Sequence, residues 1–138
     1  MKPEIRGVLT GAAVDLGGST FLGGILGTAF AAFLSARGAS QQEIYAAMYS
    51  SAFVAALTCL GLLLNALGGF VAASLIKRRH LLYGGLSALP CLVLGLFSIL
   101  NPLPSYFPLW SILLGWFLCI PFGMLGGHVA SRHGPVGG

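Results

Sequence analysis

The chain has 138 residues, of which 57% are hydrophobic and only 7% charged, against roughly a quarter charged in an ordinary water-soluble domain. Too little polar surface remains to cover a soluble globule, and no polar linker or charged tail sets off a second unit, so a separate soluble catalytic domain is excluded and 1–138 reads as a single transmembrane domain. The formal net charge of +4 comes from basic residues that punctuate apolar runs, which excludes a nucleic-acid interface and makes them topology signals.

A hydrocarbon core about 30 Å thick needs roughly 20 apolar residues to span it as a helix. Four stretches qualify, at about 7–35, 46–76, 81–100 and 109–131. In the first, Asp15 is the only charge between Arg6 and Arg37. Lys2 and Arg6 ahead of this run, with Ala29-Phe30-Ala31 further on, resemble a signal peptide. The run is much longer than a signal core and contains an acid, so it is expected to remain as a span. Gly38 suits a left-handed helix end, and Ser40-Gln41-Gln42-Glu43 matches the capping box that opens a second helix. From Ile44 to Ile76 there is no charge at all. The third span stops at Asn101-Pro102, because proline lacks an amide proton and restricts the residue before it. The fourth begins near Pro108, which fits a first helical turn. The expected fold is an all-α, polytopic four-helix bundle made of two helical hairpins.

Orientation follows from the basic residues. Lys2 and Arg6, then Lys77, Arg78 and Arg79, then Arg132 fall on one side, and Arg37 alone on the other. This bias predicts a multi-pass protein with both termini and the 77–80 loop cytoplasmic, a bacterial inner membrane being the expected setting. Tyr45, Tyr49, Tyr106 and Trp110 would form an aromatic belt at the opposite interface.

Glycine, at 21 residues, is concentrated inside the expected helices. Small residues four apart let helix backbones approach where lipid gives no hydrophobic drive to associate. Such pairs are Gly7 with Gly11, Gly23 with Gly27, Gly68 with Ala72, Gly84 with Ala88, and Gly123 with Gly127. Leu67-Gly68-Gly69-Phe70-Val71-Ala72 recurs 58 residues later as Leu125-Gly126-Gly127-His128-Val129-Ala130. A duplicated hairpin would give the second and fourth spans equivalent roles.

Two polar positions stand out. Asp15, nine residues past Arg6, lies about 13 Å along its helix, near mid-membrane. Burial there favours an uncharged acid unless a cation or water stands nearby, and such a group either binds something or ties helices together. Asn65, twelve residues before Lys77, lies about 18 Å deep, within a turn of Asp15. Ser51, Thr58, Asn65 and Ala72 recur every seven residues and, with Gly61 and Gly68, give the second span one narrow face of small and polar residues. That face fits a solute path or a close helix contact. His128 lacks a second ligand at its depth, and Cys59, Cys91 and Cys119 lack metal spacing, so no metal or cofactor is expected. Pro90 and Pro121 are expected to kink their helices.

Four spans with an acid in the first resemble small multidrug transporters, although the one-sided charge bias departs from the dual topology some of them use. Leu64-Asn65-Ala66-Leu67-Gly68 is similar to an Asn-containing stretch of fluoride channels, whose Thr-Phe-Ser-rich third helix has no counterpart here. Neither family is assigned. No phosphate loop, nucleophile elbow, zinc motif or paired carboxylates occur, so no enzyme is expected. The leading expectation is a packing or assembly subunit of a homo-oligomer or larger membrane complex, with the bilayer, a second copy or another membrane protein as partners. The alternative is a small transporter or channel with its polar site at Asp15 and Asn65.

Overall fold

The computed structural model describes residues 3–76, 79–100 and 108–133. Lys2, Lys77, Arg78, Asn101-Pro102 and Tyr106 lie outside the described residues. All regular structure among the described residues is helical: α1 (Pro3–Ala36), α2 (Gln41–Met48), α3 (Ser51–Ile76), α4 (His80–Leu86), α5 (Leu89–Leu100) and α6 (Leu109–His133). Four helical stretches are long and apolar enough to cross a membrane, namely α1, α3, the α4–α5 stretch over His80–Phe97, and α6.

Local chemistry sets the boundaries. α1 ends as Gly38 takes φ +81°, and the amides of Gly38 and Ala39 return to the carbonyls of Ser35 and Leu34 at 2.9 and 3.1 Å. These two bonds satisfy carbonyls that a helix end otherwise leaves free. The capping box then starts α2: the Glu43 amide donates to Ser40 Oγ at 3.3 Å, and the Ser40 amide donates to Glu43 Oε2 at 2.7 Å. The expected 46–76 span is not continuous. It turns at Tyr49–Ser50, where Ser50 Oγ accepts from the Phe53 amide at 3.3 Å and so caps a fresh helix, α3.

The third span is also interrupted. Pro90 cannot donate to the Leu86 carbonyl and its ring crowds that group, so α4 stops at Leu86 and α5 restarts at Leu89. Pro90 thereby sits in a first turn, where a missing amide is harmless. The intervening Ser87 is buried, its hydroxyl donating to the Gly84 carbonyl at 2.7 Å. α6 runs unbroken through Pro121.

α3 is the central element, packed chiefly against α6 and α1 and also against α4, while α4 packs on α6. α5 touches its neighbours sparsely. Facing residues give the directions: Gly7 lies against Ile76 and Gly18 against Leu64, so α1 and α3 run in opposite senses. Gly69 and Phe70 of α3 lie against Gly123 and Gly126 of α6, so those two run alike.

At these crossings the backbones themselves meet. A Cβ on Gly68 would stand 2.6 Å from the Gly11 carbonyl oxygen, and one on Gly123 would stand 2.6 Å from that of Gly84. A Cβ on Gly69 would strike the Gly123 carbonyl, one on Gly126 the Ala66 carbonyl, and one on Gly127 the His80 carbonyl. The two copies of the repeated hexapeptide bury equivalent positions, Gly68, Gly69 and Ala72 against Gly126, Gly127 and Ala130. Their neighbours differ, since Gly68 meets α1 whereas Gly126 meets α3. The repeat therefore does not give α3 and α6 interchangeable surroundings.

Two predictions follow from this packing and capping. Gly126→Ala is expected to destabilise the fold by about 1–3 kcal/mol through overpacking. Gly61→Ala, whose added Cβ would meet no neighbouring element within 4 Å, should be neutral or stabilising by up to ~1 kcal/mol through helix propensity; thermal unfolding in detergent distinguishes them, and equal midpoints would contradict the crossing. The Ser40 amide and hydroxyl hold the Glu43 carboxyl below the usual carboxylate range. A lowered folded-state value stabilises above the unfolded value and is lost as pH falls through the folded one. The protection of the Ser40 and Glu43 amides, measured against intrinsic exchange at each pH, should therefore fall on acidification into that range, and Glu43→Ala should show the lower Ser40 protection at neutral pH.

Candidate functional site

The close-packed end of the bundle occupies only half its length. Along α1, Gly7 and Gly11 are buried against α3, but a Cβ added to Gly23 or Gly24, later on the same helix, would meet no other element within 4 Å. Gly61 of α3 and Gly115 of α6 are likewise open. Where these glycines lose their neighbours the helices part, and a cavity of about 850 Å³ lies between α1, α3, α5 and α6. Its lining runs from Thr28, Tyr49 and Ser111 at one end to Asp15, Asn65 and Cys119 at the other. Thirteen residues separate Thr28 from Asp15, so the cavity is about 20 Å deep along α1.

Most of the wall is apolar, formed by side chains such as Leu16, Leu57, Leu60, Leu94 and Ile112. Two aromatic rings of the wall, one on α3 and one on α6, are held in place. Phe53 stacks on Phe30 with centroids 4.7 Å apart. The Trp116 indole N–H donates to the Leu92 carbonyl of α5 at 3.2 Å, and a Cβ on Gly95 would stand 3.1 Å from Trp116 Cδ1. That glycine is what lets the indole lie against α5.

The polar groups gather at the deep end. Asp15 is 4% exposed and Asn65 2%. The Ser19 hydroxyl, one turn along α1, bonds the Asp15 carboxyl, but Asp15 Oδ2 and both amide atoms of Asn65 are buried with no protein partner. Asp15 stands beside Gly68, whose Cβ would be 3.1 Å from its own, and Asn65 Oδ1 would be 3.2 Å from a Cβ on Gly123. The backbone crossings at Gly68 and Gly123 therefore form the floor beneath the two polar side chains. A buried polar group without a partner is expensive, and three such atoms at the end of one cavity amount to an arrangement prepared for a ligand that donates and accepts hydrogen bonds. Among the described residues no cluster of three His, Cys, Asp or Glu could hold a metal ion.

Of the polar residues singled out in the sequence, Asp15, Asn65 and Thr58 line this cavity, with Thr58 Oγ1 donating to the Val54 carbonyl at 2.8 Å. Ser51 does not line it; it is the first residue of α3 and is exposed. Gly7, Gly11, Gly68, Gly84, Gly123 and Gly127 meet other parts of the chain at close range. Ala72 and Ala88 are fully buried, Gly23 and Gly27 line the cavity, and Arg79 and Arg132 are exposed. Ser19, Thr20, Ser111 and Trp116 were not anticipated. Asp15, Ser19, Gly23 and Gly27 recur every four residues along α1, and that spacing was the available signal.

Because both amide atoms of Asn65 lack partners, Asn65→Leu should raise the thermal midpoint, since an apolar side chain of similar size removes a desolvation penalty of about 1–3 kcal/mol. Asp15→Asn should leave the midpoint nearly unchanged, as the amide keeps an acceptor for Ser19. A lowered midpoint for Asn65→Leu would mean that the amide is already engaged.

The cavity must be interpreted from its own chemistry: no protein-family model matches the chain, and no curated protein or solved structure matches it.

Proposed function

We propose that this chain is a small solute-binding transport protein of the membrane, taking its ligand into the cavity that ends on Asp15 and Asn65. The observation that carries this reading is the coincidence of a drug-sized cavity with three buried, unpartnered polar atoms at its deep end. The backbone crossings of Gly68 with Gly11 and of Gly123 with Gly84 lie directly beyond those atoms. That favours a binding site approached from one side over a continuous pore.

In the proposed orientation the chain forms two hairpins, with both termini and the 77–80 loop on the cytoplasmic side, as the six-to-one distribution of Lys and Arg supports. The Tyr49 end of the cavity then faces away from the cytoplasm. Transport in this scheme requires the glycine crossings to separate, so that Asp15 becomes accessible from the basic side. The assembly reading draws support from one feature. Thr20, Gly24, Thr28 and Ala32 line a second, shallow groove along α1, with small residues every four positions, the first three of them shared with the cavity. Most of the glycines expected to drive association are, however, already in contact within the chain.

Two measurements test the proposal. Liposomes containing only this chain should show saturable flux of a cation or of protons, abolished by Asp15→Asn in protein that still folds; flux that survives this substitution would remove Asp15 from the site. In a chain whose native cysteines are replaced by alanine, Ala39→Cys should be labelled from outside and Arg132→Cys from the cytoplasm. The reverse pattern would overturn the orientation.

A further inference from the structure

The cavity lining narrows the class of ligand, an inference that rests on the binding reading above. Asp15 is the only carboxylic acid among the described lining residues, and no described Lys, Arg or His joins it. A ligand head reaching the floor therefore meets one carboxyl group and no compensating positive charge, which favours a cation over an anion or a second acid. The unpartnered atoms specify more than charge. Asp15 Oδ2 and Asn65 Oδ1 are acceptors and Asn65 Nδ2 is a donor, all buried. Rotating the amide by 180° exchanges its two atoms without changing this inventory. The head must therefore offer hydrogen-bond donors, which on an organic cation are N–H groups, and, close beside them, an acceptor.

A bare metal ion offers no N–H, and a quaternary ammonium offers neither donor nor acceptor. A guanidinium offers donors only. The rest of the cavity is largely apolar, with the aromatic rings of Phe53 on α3 and Trp116 on α6 in its wall, and its volume of about 850 Å³ is far larger than a lone ammonium ion needs. We propose that the site takes an amphipathic primary or secondary ammonium ion with a hydroxyl or carbonyl near the nitrogen. The N–H groups bond Asp15 and Asn65 Oδ1, the neighbouring oxygen accepts from Asn65 Nδ2, and the apolar body lies against the wall that carries the rings, toward the Tyr49 end.

The test uses the full chain in detergent with Trp110→Phe, leaving Trp116 as the single indole reporter. Four probes are titrated at neutral pH: 2-amino-1-phenylethanol, its N,N,N-trimethyl counterpart, 2-phenylethylamine and the neutral 2-phenylacetamide. The hydroxylated primary amine should give a saturable change in Trp116 fluorescence and bind at least about tenfold more tightly than the trimethyl compound, one charge-assisted hydrogen bond being sufficient for that ratio. Asp15→Asn should weaken it by a similar factor, and Asn65→Ala should abolish its advantage over 2-phenylethylamine. Equal binding of the trimethyl compound would overturn the proposal. So would tight binding of the phenylacetamide that survives Asp15→Asn, although that result would leave a cavity that binds solutes. If no probe gives a saturable change, the ammonium proposal falls, and the liposome flux decides whether the binding reading falls with it. Should Asp15→Asn fail to fold, the ratio of primary to trimethyl amine on the otherwise unmodified chain decides.

Discussion

Lipid supplies no hydrophobic force between helices, so a membrane bundle depends on how closely backbones can approach. Here that requirement converges on two adjacent residues of α3. Gly68 lies against the Gly11 carbonyl of α1, and Gly69 against the Gly123 carbonyl of α6. Consecutive helical residues point about 100° apart, so one glycine pair sets α3 against two helices at once. The arrangement of α1, α3 and α6 around a common axis depends on this pair. α4 joins the same knot, because Gly123 also lies against Gly84.

The cavity is the other side of the same constraint. Helices pinned together at one end need not touch at the other, and the residues between α1 and α6 at the far end are too small to fill the gap. Glycine thus has opposite roles in the two halves: against a neighbour it permits contact, and without one it leaves space. Asp15 and Asn65 sit at the boundary, each beside a crossing glycine, Gly68 for the acid and Gly123 for the amide. Their position is fixed by backbone rather than by the long side chains that line most binding sites.

Much of this was legible in the sequence. The left-handed Gly38 and the Ser40–Glu43 box were correctly read because each is a local signal that needs no neighbour. The common depth of Asp15 and Asn65 followed from counting residues from the nearest basic anchors. The breaks at Tyr49–Ser50 and Ser87–Ala88 were harder. Apolar sequence continues through both, and a proline inside an apolar run does not announce whether it bends a helix or begins another. Ser51 was grouped with Asn65 because of a seven-residue spacing, yet that spacing drifts by about 20° per repeat in a straight helix. The cavity itself could not be read, since Gly23–Gly27 has the same spacing as Gly7–Gly11 and only the neighbouring helices distinguish them.

The crossings beneath Asn65 have a mechanical character of their own. Most helix interfaces interlock knobs and holes, so that sliding one helix along another requires side chains to disengage and change rotamer. At Gly69, Gly84, Gly123 and Gly126 there are no side chains to disengage, and the surfaces in contact are peptide planes. Such a seam resists separation, because dispersion falls steeply with distance, yet offers little resistance to shear along the helix axis. Axial movement of α6 along this seam would be opposed mainly by the side chains that flank it, Met124 and Ile120 against Gly85 and Trp116 against Gly95. Because Gly123 travels with α6 while Asn65 stays on α3, even a small axial displacement would alter the shape of the floor on which the amide rests.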